Sequence, residues 1–257
     1  MYRYIERSHT YDFISNTAYF KQAGAAFGEF QGLLADFPAA SLVETIPHFH
    51  DTPDRMQQLR RAVEEDKAGR AAQVQEEIDF ILSREQKAGL IVQALERGDI
   101  PCRVTHNDTK LSNILLDEDT EEAVCIIDLD TVMPGSSLYD YGDAIRSGSN
   151  PAGEDEENLS LVHFDINLFK AFTEGFLEGA GQWLTPAEIK LMPMAAHILT
   201  LELCARFLTD YLNGDTYFKV KKPGHNLIRT RNQIELLRQM EQLTPAMEAI
   251  VEACSND

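Results

Sequence analysis

Apolar residues in the first part of the chain recur at helical spacing. From Asn16 onward, Tyr19, Phe20, Ala23, Phe27, Phe30, Leu33 and Leu34 mark one face of a helix that Asn16 is suited to cap and Pro38 to stop. Thr52-Pro53 opens a second, polar helix. Val74, Ile78, Ile81, Leu82, Ile91, Val92 and Leu95 predict one long third helix, ended by Gly98. Ahead of these, Tyr2 to Glu6 alternates weakly and reads as a short strand without a visible partner.

The period shortens after Gly98. Cys102 to Thr105, Ile114 to Leu116 and Ala123 to Asp128 are β-prone pieces, the first two separated by a polar run and the last two by an acidic turn. Pro134 to Ser137 and Gly148 to Asn158 read as loops, the second acidic and flexible. Helical spacing then returns. Asp165 is placed to cap a helix carrying Ile166, Phe169, Phe172 and Phe176, and Thr185-Pro186-Ala187-Glu188 is a capping box opening a longer helix to about Asn213-Gly214. Pro193 either kinks that helix or marks a later start. Two last helices are expected, from Asn226 to Leu243 and from Thr244-Pro245 onward. The pattern is that of an α+β fold, mostly α-helical, with small strands grouped in the middle.

Composition narrows the function. The chain has 257 residues, 44% of them hydrophobic, enough for a sizeable core, and a formal net charge of -19. That charge argues against nucleic acid and against a polybasic membrane surface, since both need clustered cations. No run of about 18 apolar residues stands out, and the first residues carry charges where a leader peptide needs an apolar stretch. Cys102, Cys125, Cys204 and Cys254 form no CxxC pair, so reduced thiols and a cytoplasmic location are expected.

The chemistry is concentrated in the central strands. In VTHNDTKLSNILLD, Asp108 and Asn113 lie five residues apart in a polar run between apolar ones, as in a loop held out from a core. In CIIDLDTVMPG an apolar strand ends in Asp128-Leu129-Asp130, and alternation places both acids on one side. A general base must sit beside the hydroxyl it deprotonates, and a hard divalent cation needs oxygen ligands from more than one direction. Asp108, Asn113 and Asp128 can supply both. Farther on, Glu202, Arg206 and Asp210 are four residues apart and share one helix face, a stripe that either pairs internally or faces a cleft. His48 and His50 would share a strand face, but no third metal ligand is evident.

Together HNDTKLSNILLD, CIIDLDTVMPG, YDYGDAIRSGSN, LELCARFLTDYLNGDTYFKV and HNLIRTRNQIELLRQME resemble the aminoglycoside and choline phosphotransferase group of kinase-like enzymes, and within it the N-acetylhexosamine 1-kinases. The resemblance spans nearly the whole chain. It implies a protein-kinase-like C-terminal lobe whose short β-hairpins carry the catalytic and metal loops. It also implies ATP and Mg²⁺ as cofactors and a sugar phosphorylated at its C1 hydroxyl. By resemblance Asp108 is the catalytic base, Asn113 and Asp128 are magnesium ligands with Asp130 adjoining, and His106 and Asp143 support the catalytic loop. Arg206, Asp210, Tyr217 and Arg146 are the implied substrate residues, and Lys110 is either near the transferred phosphate or an exposed loop lysine. Other small alcohols such as choline, homoserine or an aminoglycoside are the alternative acceptors, and a non-catalytic scaffold is a third reading.

Such enzymes also carry an upper lobe with a glycine-rich loop, a strand lysine and a helix glutamate. None of these precedes Tyr2. Residues 1–10 read as a hinge strand remnant and 11–257 as a single lobe, from which slow turnover by this chain alone is expected. Homodimerisation through Tyr2, Tyr4 and Ile5 would cover the face left open.

Overall fold

The computed structural model describes residues 4–11 and 16–256. Its helices are α1 (Thr17–Leu33), α2 (Thr52–Glu65), α3 (Gln75–Leu82), α4 (Glu85–Ala88), α5 (Leu90–Arg97), α6 (Ser137–Gly148), α7 (Ile166–Ala180), α8 (Pro186–Leu212) and α9 (His225–Ser255). Its strands are β1 (Ser8–His9), β2 (Arg103–Thr105), β3 (Ile114–Asp117), β4 (Ala123–Ile126) and β5 (Met133–Gly135). Among the described residues they form two small antiparallel sheets, β1-β3-β4 and β2-β5. This is the mostly helical α+β architecture of a kinase-like lobe.

Helix α8 is the axis of the molecule. Its N-terminal half packs with α6 and the end of α9 and shares with α1 and α7 the core in which Phe169, Phe172, Phe176 and Tyr141 are buried. Its C-terminal half packs with α2, α3 and the start of α9 around Met56, Leu59, Ile81 and Leu208. The helix is long and apolar enough to cross a bilayer by length and composition, contrary to the reading that no such run exists. Its most apolar window is 83% buried inside the protein, so this apolarity is matched by the core. The expected capping box is formed: Thr185 Oγ1 accepts from Glu188 N at 3.2 Å, and Glu188 Oε2 accepts from Thr185 N at 2.8 Å.

Several expected boundaries move, each for a local reason. Of the strand expected over Tyr2 to Glu6, Tyr2 and Arg3 lie outside the described residues and Tyr4 to Glu6 are not a strand; a two-residue strand follows at Ser8–His9, paired with Asp117 and Leu116. The long third helix is three short ones. The Ser83 hydroxyl and the Arg84 guanidinium both donate to the Phe80 carbonyl, at 2.8 and 2.7 Å, closing α3, and Gly89 separates α4 from α5. Pro134 and Gly135, read as loop, pair with Val104 and Arg103.

The two C-terminal helices are one. Pro245 has no N–H for the Glu241 carbonyl, but Thr244 Oγ1 donates to it at 3.1 Å, and Met247 and Val251 beyond the proline are buried.

Candidate active site

Asp108 sits in the loop after β2, and helix α6 holds that loop by its backbone. Ser136 caps α6, which points two acids one helical turn apart at the loop. Asp140 accepts from His106 N at 2.9 Å and Asn107 N at 2.7 Å, and Gln31 Nε2 of α1 donates to it at 2.6 Å. Burial pushes the Asp140 carboxyl above its ordinary pKa against the pull of those N–H groups. Asp143 accepts from Thr109 N at 3.2 Å and pairs with Arg146 at 2.9 Å. Burial opposes ionisation of Asp143, but Arg146 and His50 outweigh it and hold the carboxyl below the usual carboxylate range.

His106 is buried between the edges of Phe27 and Phe30. Its Nε2–H donates to the Ile127 carbonyl at 2.9 Å and Nδ1 accepts from Asp108 N at 3.3 Å, tying the Asp108 loop to the end of β4. Asn107 takes the left-handed conformation with φ 66°. A non-glycine residue holds that geometry only where its surroundings fix it. Here Thr131 O accepts from its side-chain amide at 2.8 Å, and Thr105 Oγ1 donates to its Oδ1 at 3.0 Å.

Asp108 itself is oriented from two sides. Asn113 Nδ2 donates to its Oδ2 at 3.0 Å and to its carbonyl at 2.8 Å, and Lys110 Nζ lies 2.7 Å from Oδ2. Lys110 Nζ also lies 3.9 Å from Asp128 Oδ2, so the ammonium stands between the two carboxylates. A cation is therefore already accommodated between the two acids. Asn113 turns its amide N–H toward Asp108, which leaves its amide oxygen as the ligand atom for a hard cation. Among the described residues no group of three His, Cys, Asp or Glu side chains is placed to hold a metal ion. Magnesium takes few protein ligands when phosphates supply the rest, so Asn113 with Asp128 fits it.

The strand argument for Asp130 fails. Strand β4 stops at Ile126, Asp128 adopts φ 62°, and Leu129–Thr131 form a single 3₁₀ turn, so alternation does not carry Asp130 to the side of Asp128.

Beside Asp108 lies an open cavity of about 390 Å³ lined also by Phe49, His50, Asp143, Arg146, Glu154, Arg206, Phe207, Phe218, Lys219 and Arg229. Arg206 and Arg146, two of the residues that the resemblance implied for the substrate, line it. Arg146 is held by Asp143 and, at 2.9 Å, by Glu154. Arg206 lies over the Phe49 and Phe218 rings at 5.4 and 5.6 Å from their centroids, and Arg229 over Phe207 at 5.5 Å.

The other two expected substrate residues are elsewhere. Asp210 is buried and accepts from the backbone of Thr216, Tyr217 and Phe218 at 2.8 to 2.9 Å and from Asn226 Nδ2 at 2.8 Å, which fixes the loop that presents Phe218. Tyr217 does not line the cavity and is 70% exposed.

Sequence reading missed Asp140, whose signal was its place three residues before Asp143 in YDYGD. It also set aside His50, which lies in a turn and not on a strand. His50 is buried, with Nδ1 3.0 Å from Glu202 Oε1 and Nε2 3.3 Å from the Asn107 carbonyl. The acidic loop read as flexible is tied down, Asp155 meeting Arg229 at 2.7 Å and His225 and Lys221 at 3.0 Å.

Comparison with known proteins places this geometry. The APH phosphotransferase enzyme family matches residues 1–187. Among solved structures, an ethanolamine kinase of Plasmodium vivax superposes with a TM-score of 0.53 at 15% identity over 90% of this chain. A choline kinase from Cryptosporidium parvum Iowa II does so with a TM-score of 0.56 at 14% identity over 99% of it. The chain spans 63% of the length of the first and 74% of the second. At these identities the likeness is one of fold.

Proposed function

Because the chain belongs to the APH phosphotransferase enzyme family, we propose that it serves the ATP- and Mg²⁺-dependent transfer of a phosphoryl group to the C1 hydroxyl of an N-acetylhexosamine. The observation that carries the acceptor class is the state of the aromatic faces in the Asp108 cavity. A quaternary or primary ammonium acceptor is held by open aromatic faces and unpaired carboxylates. Here Phe49, Phe218 and Phe207 are already covered by the guanidinium groups of Arg206 and Arg229. Choline or ethanolamine would have to displace those cations. A neutral sugar suits them, because guanidinium groups only donate and hydroxyl and acetamide oxygens accept. This favours the sugar over the amino alcohols named for the structural neighbours.

In this reading Asp108 accepts the proton of the acceptor hydroxyl, with Asn113 fixing its carboxylate. Lys110 swings from Asp108 to the transferred phosphoryl group, where its charge offsets that of the oxygens. Arg206 orients the sugar, and Arg146 keeps Asp143 ionised beneath the loop. Asn113 and Asp128 would hold Mg²⁺, which supplies charge neutralisation on the nucleotide phosphates.

Phosphorus NMR of ATP, Mg²⁺ and a panel of acceptors tests the proposal. Sugar 1-phosphate is expected with N-acetylhexosamine, and Asp108→Asn is expected to slow its formation about 10²- to 10⁴-fold while leaving the melting temperature unchanged. Phosphocholine or phosphoethanolamine as the main product would sink the sugar assignment.

A further inference from the structure

The buried histidine between α2 and the catalytic loop has acceptors on both sides of its ring. Nδ1 faces a Glu202 carboxylate oxygen at 3.0 Å, and Nε2 faces the Asn107 carbonyl at 3.3 Å. A neutral imidazole has one N–H, so one of these contacts would set two lone pairs against each other. Two acceptors require two donors. We propose that His50 is a doubly protonated bridge from Glu202 to the Asn107 carbonyl, and that it acts as a positioning residue for Asp108, the next residue along.

The surroundings support a buried cation. Glu202 is itself fully buried, and its second oxygen accepts from Thr52 Oγ1 at 3.0 Å, which orients it; burial opposes its ionisation, but His50, Arg206 and Arg55 outweigh that and hold the carboxyl below the usual range. From α6 the groups facing His50 are Asp143, which also favours the charge, and the Tyr139 ring at 5.0 Å. Arg206 of α8 opposes it, Arg55 of α2 stands beside Arg206 and Glu202, and Asp51 and Glu44 before α2, with Asp108, Arg146 and Glu154, line the two cavities that His50 borders. Burial lowers the His50 pKa, but the Glu202 carboxylate and its hydrogen bond outweigh that and raise it above the ordinary value.

The bridge has a mechanical consequence. Each polar group of Asn107 is bound: its N–H by Asp140, its side chain by Thr131 and Thr105, and its carbonyl by His50. The left-handed Asn107 backbone sets the direction in which Asp108 leaves the loop. Loss of the His50 proton breaks the carbonyl contact and loosens that direction. Because the folded pKa is raised, the bridge is fully formed below the ordinary histidine value and is lost as pH rises through the folded one. The catalytic consequence rests on the proposed phosphotransfer; the protonation state does not.

Nitrogen NMR of the histidine-labelled 257-residue chain reads the bridge directly. At pH 7, above the ordinary histidine pKa of about 6.5, both His50 ring nitrogens are expected at imidazolium positions. His50→Gln assigns the signal. Glu202→Gln, an isosteric change, is expected to return the titration to or below the ordinary value. A single neutral tautomer for His50 at pH 7 would overturn the proposal. In His50→Gln the Asn107 and Thr109 amides should exchange about tenfold faster, with those of α7 unchanged; unchanged exchange at all of them would refute the positioning role. With active protein, wild type should lose kcat on the alkaline side, and His50→Gln should show a lower kcat without that limb at the same KM for ATP. Absence of phosphotransfer in wild type would count against the proposed function, while the NMR outcome would still decide the bridge.

Discussion

Asp140 shows how much of the site depends on one side chain that does not line its cavity. Its carboxylate gathers two consecutive backbone N–H groups of the catalytic loop and one amide from α1, all away from water. Asp140→Asn keeps the shape but turns an N–H₂ toward backbone donors. A stability loss of about 2 kcal/mol is expected in urea denaturation, the cost of leaving a buried donor unmade. A loss under about 0.5 kcal/mol would show that the loop is held by other means. The residue was hard to find in the sequence because both Asp140 and Asp143 have the spacing to face the loop. Both take backbone N–H groups, Asp140 those of His106 and Asn107 and Asp143 that of Thr109, and only Asp143 also pairs with Arg146, which bridges it to Glu154. Asp108, Asn113 and Asp128 were legible because their motif spacing survives any shift of element boundaries.

Helices α1 and α7 set the floor beneath His106, and they touch through glycines. Gly28 and Gly179 face the opposite backbone so closely that a Cβ would come within 2.5 Å of the Phe176 carbonyl and 2.6 Å of the Ala25 carbonyl, and Gly24 and Gly175 are tighter. Gly175→Ala is expected to cost about 1 to 3 kcal/mol through forced separation of the pair, read as a lower denaturation midpoint. An unchanged midpoint would mean the helices slide apart freely. Apolar spacing placed both helices, since it depends on side chains alone. It could not show the glycine contact, which depends on how two elements distant in sequence meet. The same limit explains the C-terminal helix. Pro245 reads as a break from sequence, whereas the neighbouring Thr244 hydroxyl and the buried Met247 and Val251 carry the helix through it. The third predicted helix fails in the opposite sense. Its apolar period is continuous, but Ser83, Arg84 and Gly89 interrupt the backbone without interrupting the pattern.

Over the whole molecule the net charge is -19, yet the cavity beside Asp108 gathers Arg146, Arg206, Lys219 and Arg229. The same cavity holds Asp108, Asp143 and Glu154, so its charges are mixed, and Arg206 and Arg229 stand over aromatic rings; in the proposed reading these guanidinium groups donate to the oxygens of a neutral acceptor. The direct test is calorimetric titration of the 257-residue chain with N-acetylhexosamine and with choline, repeated with Arg206→Ala. The account predicts saturable binding of the sugar, loss of about tenfold or more in affinity on removal of the guanidinium, and no binding of choline. Choline binding that survives in wild type, or sugar binding indifferent to Arg206, would contradict it.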